Sequence, residues 1–273
     1  LEDESNLIEE FAMKIPVEVI GNLFNIPHSQ RGPLRDWSLA ILGALEPSPT
    51  NIQLSKGNTA VLEFKDFLKD ITDERRINPG NPDTDVLTRM LEAEESNLSE
   101  TELLQNCIFI LNAGHETTTN LIGNSLWALS HYPAAKEMLI NTPEMLDLAI
   151  EEFLRFLSPN QFGNRETASE VILGGKKIPK YSNLHLCIGA ANRDPLQFEQ
   201  PEKLIIDRNP NRHLAFAGGA HHCVGSSLAK MEARIAIRKF LKKFPNYELV
   251  SEPIWSKRIR FRGLTHLQAR LEN

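Results

Sequence analysis

From Ser99 to His131 the chain keeps one helical pattern, closed by Tyr132-Pro133, and a helix of that length, roughly three times the average, would cross a whole domain. Ser99-Glu100-Thr101-Glu102 reads as its capping box. Everything else must pack around such a rod. Residues up to about Glu94 read as successive helices, one of them from Thr59 to Arg76 with Val61, Leu62, Phe64, Phe67 and Leu68 clustered on a face. Asn78-Pro79-Gly80-Asn81-Pro82-Asp83 breaks the pattern. A further apolar stripe runs through Val224, Leu228, Met231, Ile235, Leu241 and Phe244 until Pro245. Val171 to Ile178 reads as a hairpin turning at Gly174-Gly175, and residues from Asn246 onward suit short strands. The expectation is a mainly α fold with minor β, a single domain over residues 1–273.

Composition removes several function classes. With 273 residues and a formal charge of −6 the chain can bury a large core, and it has no basic excess to attract nucleic acid. No stretch approaches the roughly 18 consecutive apolar residues of a membrane span, and Leu1-Glu2-Asp3-Glu4-Ser5 is unlike a signal peptide. A cytoplasmic protein is expected. Cys107, Cys187 and Cys223 lie too far apart for a zinc or disulfide framework, and the first two sit in apolar runs that suit a core. The chain opens without Met and partway into a helical pattern, so a fragment lacking its N-terminal part is expected.

Chemistry is concentrated in two places. Inside the long helical pattern stands Ala113-Gly114-His115-Glu116-Thr117-Thr118, where glycine costs about 1 kcal/mol relative to alanine. Ala113 and Gly114 leave room for a flat ligand or dioxygen, and the threonine hydroxyls can compete for backbone carbonyls and distort the helix. Glu116 beside Thr117 offers a carboxylate and a hydroxyl able to relay protons. A solvated polar turn with a packing glycine accounts for the same residues.

The second place is Phe216-Ala217-Gly218-Gly219-Ala220-His221-His222-Cys223-Val224-Gly225. A sulfur just before a helix faces unpaired N–H groups and the positive dipole end, which favours the thiolate, the form that binds metal. Gly218, Gly219 and Gly225 let backbone lie close to a flat ligand. An ordinary buried thiol is the plainer alternative.

This run, Phe-x-x-Gly-x-His-x-Cys-x-Gly, resembles the haem-binding loop of the cytochrome P-450 family, the haem-thiolate monooxygenases, at every fixed position from Phe216 to Gly225. The resemblance implies haem b with the Cys223 thiolate as axial ligand of iron, Phe216 beside the sulfur, and Gly219 and Gly225 in the cofactor loop. Ala-Gly-x-Glu-Thr-Thr is similar to the family's oxygen-binding helix, which makes Ala113 and Gly114 cofactor neighbours and Glu116 and Thr117 the catalytic pair; His115 holds the variable position. Glu152-Phe153-Leu154-Arg155, three apart on one helix face, with Arg208 further on, resembles the family's structural triad. Arg165, His213 and His221 are the implied partners of the haem carboxylates, against surface charge or a capping histidine; His222 takes no role. The early helices of the family and its Trp-x-x-x-Arg element have no counterpart here, since Trp37 is followed by Ser-Leu-Ala-Ile. Asp36 to Leu45 would roof the distal pocket, with Leu39, Ile41, Leu42 and Leu45 as lining or as plain packing.

The function so implied is that of a soluble bacterial monooxygenase acting on a small apolar organic substrate and dioxygen. Electrons would come from NAD(P)H through a separate ferredoxin or flavodoxin, because no Gly-x-Gly-x-x-Gly is present. Lys230, Arg234 and Arg238 would steer that donor or simply form a solvated face. Two rivals are a non-catalytic or incomplete haem-binding fragment and a Cys-His hydrolase using Cys223 with His221 or His222; the latter leaves the Ala113–Thr118 motif unexplained.

Overall fold

The helix starts at residues 51 and 100 follow caps written into the sequence. In the computed structural model, which describes residues 3–272, α1 (Lys14–Leu23) and α2 (Leu34–Ala44) precede the long α3 (Asn51–Ile77). Thr50 opens α3: its hydroxyl accepts from Gln53 N–H (3.2 Å) while Gln53 Oε1 accepts from Thr50 N–H (2.8 Å). Helix α4 (Val86–Asn97) follows the 78–85 break, and α5 (Glu100–Ala113) opens on the same reciprocal pair between Ser99 and Glu102. On α3 the buried stripe is Ala60, Phe64, Leu68 and Ile71, steps of four, four and three. Val61 and Leu62, expected on that face, point outward, because one or two residues past Ala60 the helix has turned away from the core.

The single long helix expected over 99–131 is two. Helix α5 ends at Ala113, Gly114 and His115 link it (φ/ψ −76°/−12° and −92°/−72°), and α6 (Glu116–His131) continues. Part of the cause is local: Thr117 Oγ1 takes the Ala113 carbonyl (3.1 Å), whereas His115 O keeps the Thr119 N–H (3.1 Å) and receives Thr119 Oγ1 as well (3.1 Å). A methyl group at Gly114 would meet Ile20 Cδ1 at 3.1 Å, so the glycine lets α1 approach the link.

Helices α6, α8 (Leu146–Phe156) and α10 (Ser226–Lys243) pack together, with α7 (Pro133–Asn141) alongside α6. Their core holds Leu126, Leu129, Phe153, Ile237 and Phe240. A second cluster, with Phe24, Phe64, Leu68 and Leu103, joins α1 to α5. The α5–α6 link therefore runs from one core into the other.

Small antiparallel sheets close the fold. β1 (Glu4–Asn6) pairs with β9 (Gln268–Arg270), which also pairs with β6 (Glu248–Leu249). β2 (Phe162–Glu166) pairs with β5 (Asn183–Cys187), setting Arg165 opposite Leu184, and the short α9 (Ile188–Ala191) follows. β3 (Val171–Leu173) and β4 (Lys176–Ile178) form the expected hairpin; Gly174 and Gly175 sit at φ +56° and +74°, the region a two-residue turn of this kind needs. β7 (Ile254–Trp255) pairs with β8 (Leu264–His266). Mainly α with minor β is what the fold is.

Candidate functional site

Cys223 stands two residues before Gly225, the residue that caps α10, and is exposed. Its N–H donates to Phe216 O (2.9 Å), closing the loop, and its carbonyl accepts from Ser226 N–H (3.3 Å) at the helix start. Between them Ala217 and Gly219 take the left-handed region (φ +57° and +63°). Ala217 is thus strained, a cost that the surrounding contacts must offset. Side chains built on Gly218, Gly219 or Gly225 would meet nothing within 4 Å. Val224 and Leu214 are exposed beside this open glycine cradle, at 95% and 46%. His221 is exposed in the turn, and His222 Nε2 lies 3.3 Å from Ser226 Oγ. Among the described residues neither histidine hydrogen-bonds Cys223, so the pairing a Cys-His hydrolase needs is not formed there.

At the α5–α6 link, Ala113 is exposed while Glu116 and Thr117 are half-buried at the first turn of α6. Glu116 Oε1 lies 3.8 Å from Arg258 Nη1. Burial pushes the Glu116 carboxyl above its ordinary range, and the Arg258 and Arg35 charges pull the other way. His115 is buried with neither ring nitrogen hydrogen-bonded; burial, then the Arg35 charge, hold it down to about 4. Asn112 Oδ1, Arg35 Nε and Arg258 Nη1 are buried without hydrogen-bond partners in the same neighbourhood of charges or helix link. Buried polar atoms left open in this way mark where water or a ligand belongs. Gly114 does not border open space, as its side is taken by Ile20.

The three residues of the expected triad meet. Glu152 Oε2 and Oε1 accept from Arg155 Nε and Nη2 (both 2.8 Å), and Oε2 also accepts from Arg208 Nε (3.0 Å). Ile205 N–H and Asn211 Nδ2 complete the shell at 2.9 and 3.1 Å. Arg155 Nη1 donates to the carbonyls of Asn192 and Pro201, and Nη2 also donates to that of Lys203. All three side chains are buried, which gives this arrangement far more weight than a surface pair. Arg165 is exposed on β2, with Nη1 on Asn164 O. His213, expected as a haem-carboxylate partner or a capping histidine, has Nε2 2.8 Å from Glu151 Oε2, and its Nδ1 accepts from Ala215 N–H at 3.2 Å.

Sequence reasoning missed Glu151, Asn192, Arg35 and Arg258. Asn192 is buried, donates to Ser158 Oγ (2.7 Å) and accepts from Leu214 N–H (2.7 Å), tying the segment before the cysteine loop to the end of α8. Its place in Ala191-Asn192-Arg193-Asp194-Pro195 was a signal for it; the arginines had none, since each reaches the site from a distant segment. Lys230 and Arg234, expected to steer a donor or to form a solvated face, each meet an acid of α8: Lys230 Nζ lies 2.9 Å from Glu151 Oε1, and Arg234 Nη1 3.3 Å from Asp147 Oδ1.

The family model described as Cytochrome P450 matches residues 44–254. The chain is 37% identical to the polyketide biosynthesis cytochrome P450 PksS of Bacillus subtilis (strain 168), covering 99% of this chain and 66% of that one. The chain belongs to the cytochrome P450 family. Another P450, the 6-deoxyerythronolide B hydroxylase of Saccharopolyspora erythraea, is 33% identical over 98% of the chain and 66% of its own length. Among solved structures, P450BioI in complex with hexadec-9Z-enoic acid ligated acyl carrier protein superposes with a TM-score of 0.95 at 32% identity, over 99% of this chain and 70% of that one. The chain thus spans about two thirds of the length of these curated relatives.

P450s hold haem through a cysteine thiolate. The residues of this chain fit that group. One sulfur, Cys223, projects from a cradle whose glycines leave open space, and apolar Val224 and Leu214 lie exposed beside it. A single protein donor suits a metal whose other ligands come from a macrocycle, and among the described residues no cluster of three or more His, Cys, Asp or Glu offers a protein-only metal site. Among the described residues no helix is long and apolar enough to cross a membrane.

Proposed function

We propose that residues 1–273 form one haem-binding unit of a P450 monooxygenase. Such an enzyme inserts one atom of dioxygen into an apolar organic substrate while the other leaves as water. The observation that carries this reading is the exposed Cys223 in its glycine cradle at the head of α10, its N–H tied back to Phe216 O. Bound haem would supply the binding and cleavage of dioxygen, with the two electrons coming from a separate donor. The protein's own part is to hold the thiolate, to exclude water from the apolar side and to manage protons.

The Cys223 thiolate would hold the haem iron, with Gly219, Gly225 and Phe216 shaping the loop and Arg165 and His221 available for the haem carboxylates. Glu116 Oε1 and Thr117 Oγ1 would pass protons. Burial keeps the Glu116 carboxyl protonated to higher pH than an exposed glutamate, so it can donate, and Arg258 at 3.8 Å favours the return of the anion. Thr117 Oγ1 gives its own hydrogen to Ala113 O and so turns lone pairs toward an incoming proton donor. The Glu152, Arg155 and Arg208 network would hold the segment leading to Cys223. Relatives named for a polyketide pathway and for 6-deoxyerythronolide B hydroxylation support an apolar substrate. Electrons would come from NAD(P)H through a separate ferredoxin- or flavodoxin-type donor, and a cytoplasmic location suits such a pair.

The test is the absorption spectrum of the chain supplied with haem, reduced and exposed to carbon monoxide. The red-shifted Soret band of thiolate ligation is expected, and its loss in Cys223→Ala. A band at the ordinary haem position in the unaltered chain would overturn the assignment of Cys223.

A further inference from the structure

We propose that Glu151 is a positioning residue for the cysteine loop, acting through His213 and Lys230 on both flanks of Cys223. This deepens the reading of Cys223 as thiolate ligand and rests on it. The two oxygens of one α8 carboxylate reach the chain before and after the loop: Oε2 meets His213 Nε2 at 2.8 Å, and Oε1 meets Lys230 Nζ at 2.9 Å. His213 lies ten positions before Cys223 and Lys230 seven after it.

The hydrogen-bond pattern dictates the form of His213. Its Nδ1 faces the Ala215 N–H, which can only donate, so Nδ1 carries the lone pair and Nε2 carries the hydrogen that goes to Glu151. The ring is thereby locked between a charged acceptor and the backbone of the turn. That turn is where holding is needed. Leu214 O accepts from Ala217 N–H (2.9 Å), Ala217 sits at φ +57°, and the next carbonyl back, that of Phe216, is the one that receives the Cys223 N–H. Strain at a non-glycine residue persists only where neighbours over-determine the backbone. Glu151 through His213, together with Asn192 Oδ1 on Leu214 N–H, are such neighbours.

Glu151 therefore divides the work with its neighbour in sequence. Glu152 is turned inward and holds residues 205–211, whereas Glu151 holds 213–215 and the first turns of α10. The next pair along these helices, Asp147 with Arg234 at 3.3 Å, joins the same two helices but touches no residue of the loop. It is the natural control.

The experiment compares the haem-loaded chain with Glu151→Ala, Glu151→Gln, His213→Ala and Asp147→Ala. Three readouts are taken: hydrogen exchange at the Ala215 and Cys223 amides, the reduced carbon-monoxide band over time, and the haem reduction potential. In Glu151→Ala and His213→Ala we expect both amides to exchange about tenfold faster, the factor set by losing one charge-assisted hydrogen bond of roughly 1.4 kcal/mol. The thiolate band should decay to the ordinary position at a similarly increased rate, and the potential should move from its wild-type value, which general loss of stability would not cause. Glu151→Gln, whose carbonyl still accepts from His213, should lie between, and Asp147→Ala should match wild type. Wild-type exchange and potential in Glu151→Ala and His213→Ala would overturn the proposal, as would equal changes in Asp147→Ala. Should Glu151→Ala fail to accumulate, His213→Ala, which removes one arm only, carries the same expectation. A wild-type chain lacking the thiolate band would overturn the ligand reading, while the two amides would still decide the clasp.

Discussion

His115 occupies a position that the family motif leaves open, yet it is the residue here with most to report about pH. It is buried with both ring nitrogens unpaired and held down to about 4, by burial first and the Arg35 charge second. The unfolded chain would bind a proton near 6.5 and the folded chain only near 4, so stability is complete above 6.5 and falls as pH drops from 6.5 toward 4. Thermal melts across that window should show a decline in the wild type that is flatter in His115→Asn; equal slopes would mean that His115 does not titrate as described. Thr117 has a chemical rather than a stability signature. Thr117→Ala frees Ala113 O but removes only one partly exposed hydroxyl, so haem content should be preserved while oxygen consumption uncouples from product, measured as the ratio of the two. Coupling at the wild-type ratio would remove Thr117 from the proton path. The residue types of Glu116, Thr117 and Cys223 were legible because their motifs are contiguous. Their electrostatic neighbours Arg35 and Arg258 were not, because nothing local ties residue 35 or 258 to residue 116.

Among the elements, α8 shows how far spacing alone reaches. Glu152 and Arg155, three apart, had to share a face, and they do so as a bidentate pair. Sequence order also put Arg208 in the network. What spacing could not supply was the depth: Glu152 and Arg155 are fully buried, and their remaining bonds go to backbone at Asn192, Pro201, Lys203 and Ile205 and to the Asn211 side chain. Removing the acid leaves two buried guanidinium groups without a counter-charge, so Glu152→Ala should cost about 3–5 kcal/mol. The measurement is chemical denaturation, together with the yield of folded holoprotein; a loss below about 1 kcal/mol would contradict the described burial. The α5–α6 link marks the opposite limit. A glycine in a helical run was a visible anomaly, but whether it kinks or ends the helix depends on the Thr117 hydroxyl taking the Ala113 carbonyl and on Ile20 arriving from α1.

At the scale of the molecule, the helices around α3 meet the C-terminal segment through a small set of polar ties. Glu46 Oε2 accepts from Ile259 N–H (2.8 Å) and Arg260 N–H (3.1 Å), Arg260 Nη1 donates to Leu45 O (3.0 Å), and Arg258 Nη2 donates to Leu39 O (3.0 Å). These bonds pull the end of α2 against residues 258–260, and Arg258 carries the connection on to Glu116. Glu46→Ala should therefore raise hydrogen exchange in residues 34–46 and 256–261 while leaving α8 and α10 as protected as before. Uniform change along the chain, or none, would show that the tie does not hold the two parts together.

Much of this protein follows from near neighbours in the chain. Capping boxes at Thr50 and Ser99, the Gly174-Gly175 hairpin, the mainly helical class and the cysteine loop all arise from residues within about ten positions of each other, where backbone propensity and hydrogen bonding act directly. Tertiary structure alone decided which face of α3 is buried and that His213 serves Glu151. It also brought Arg35 and Arg258 to Glu116. In each case a partner more than ten residues away competes for the same carbonyl, ring nitrogen, charge or apolar surface, and that competition is settled only when the helices pack.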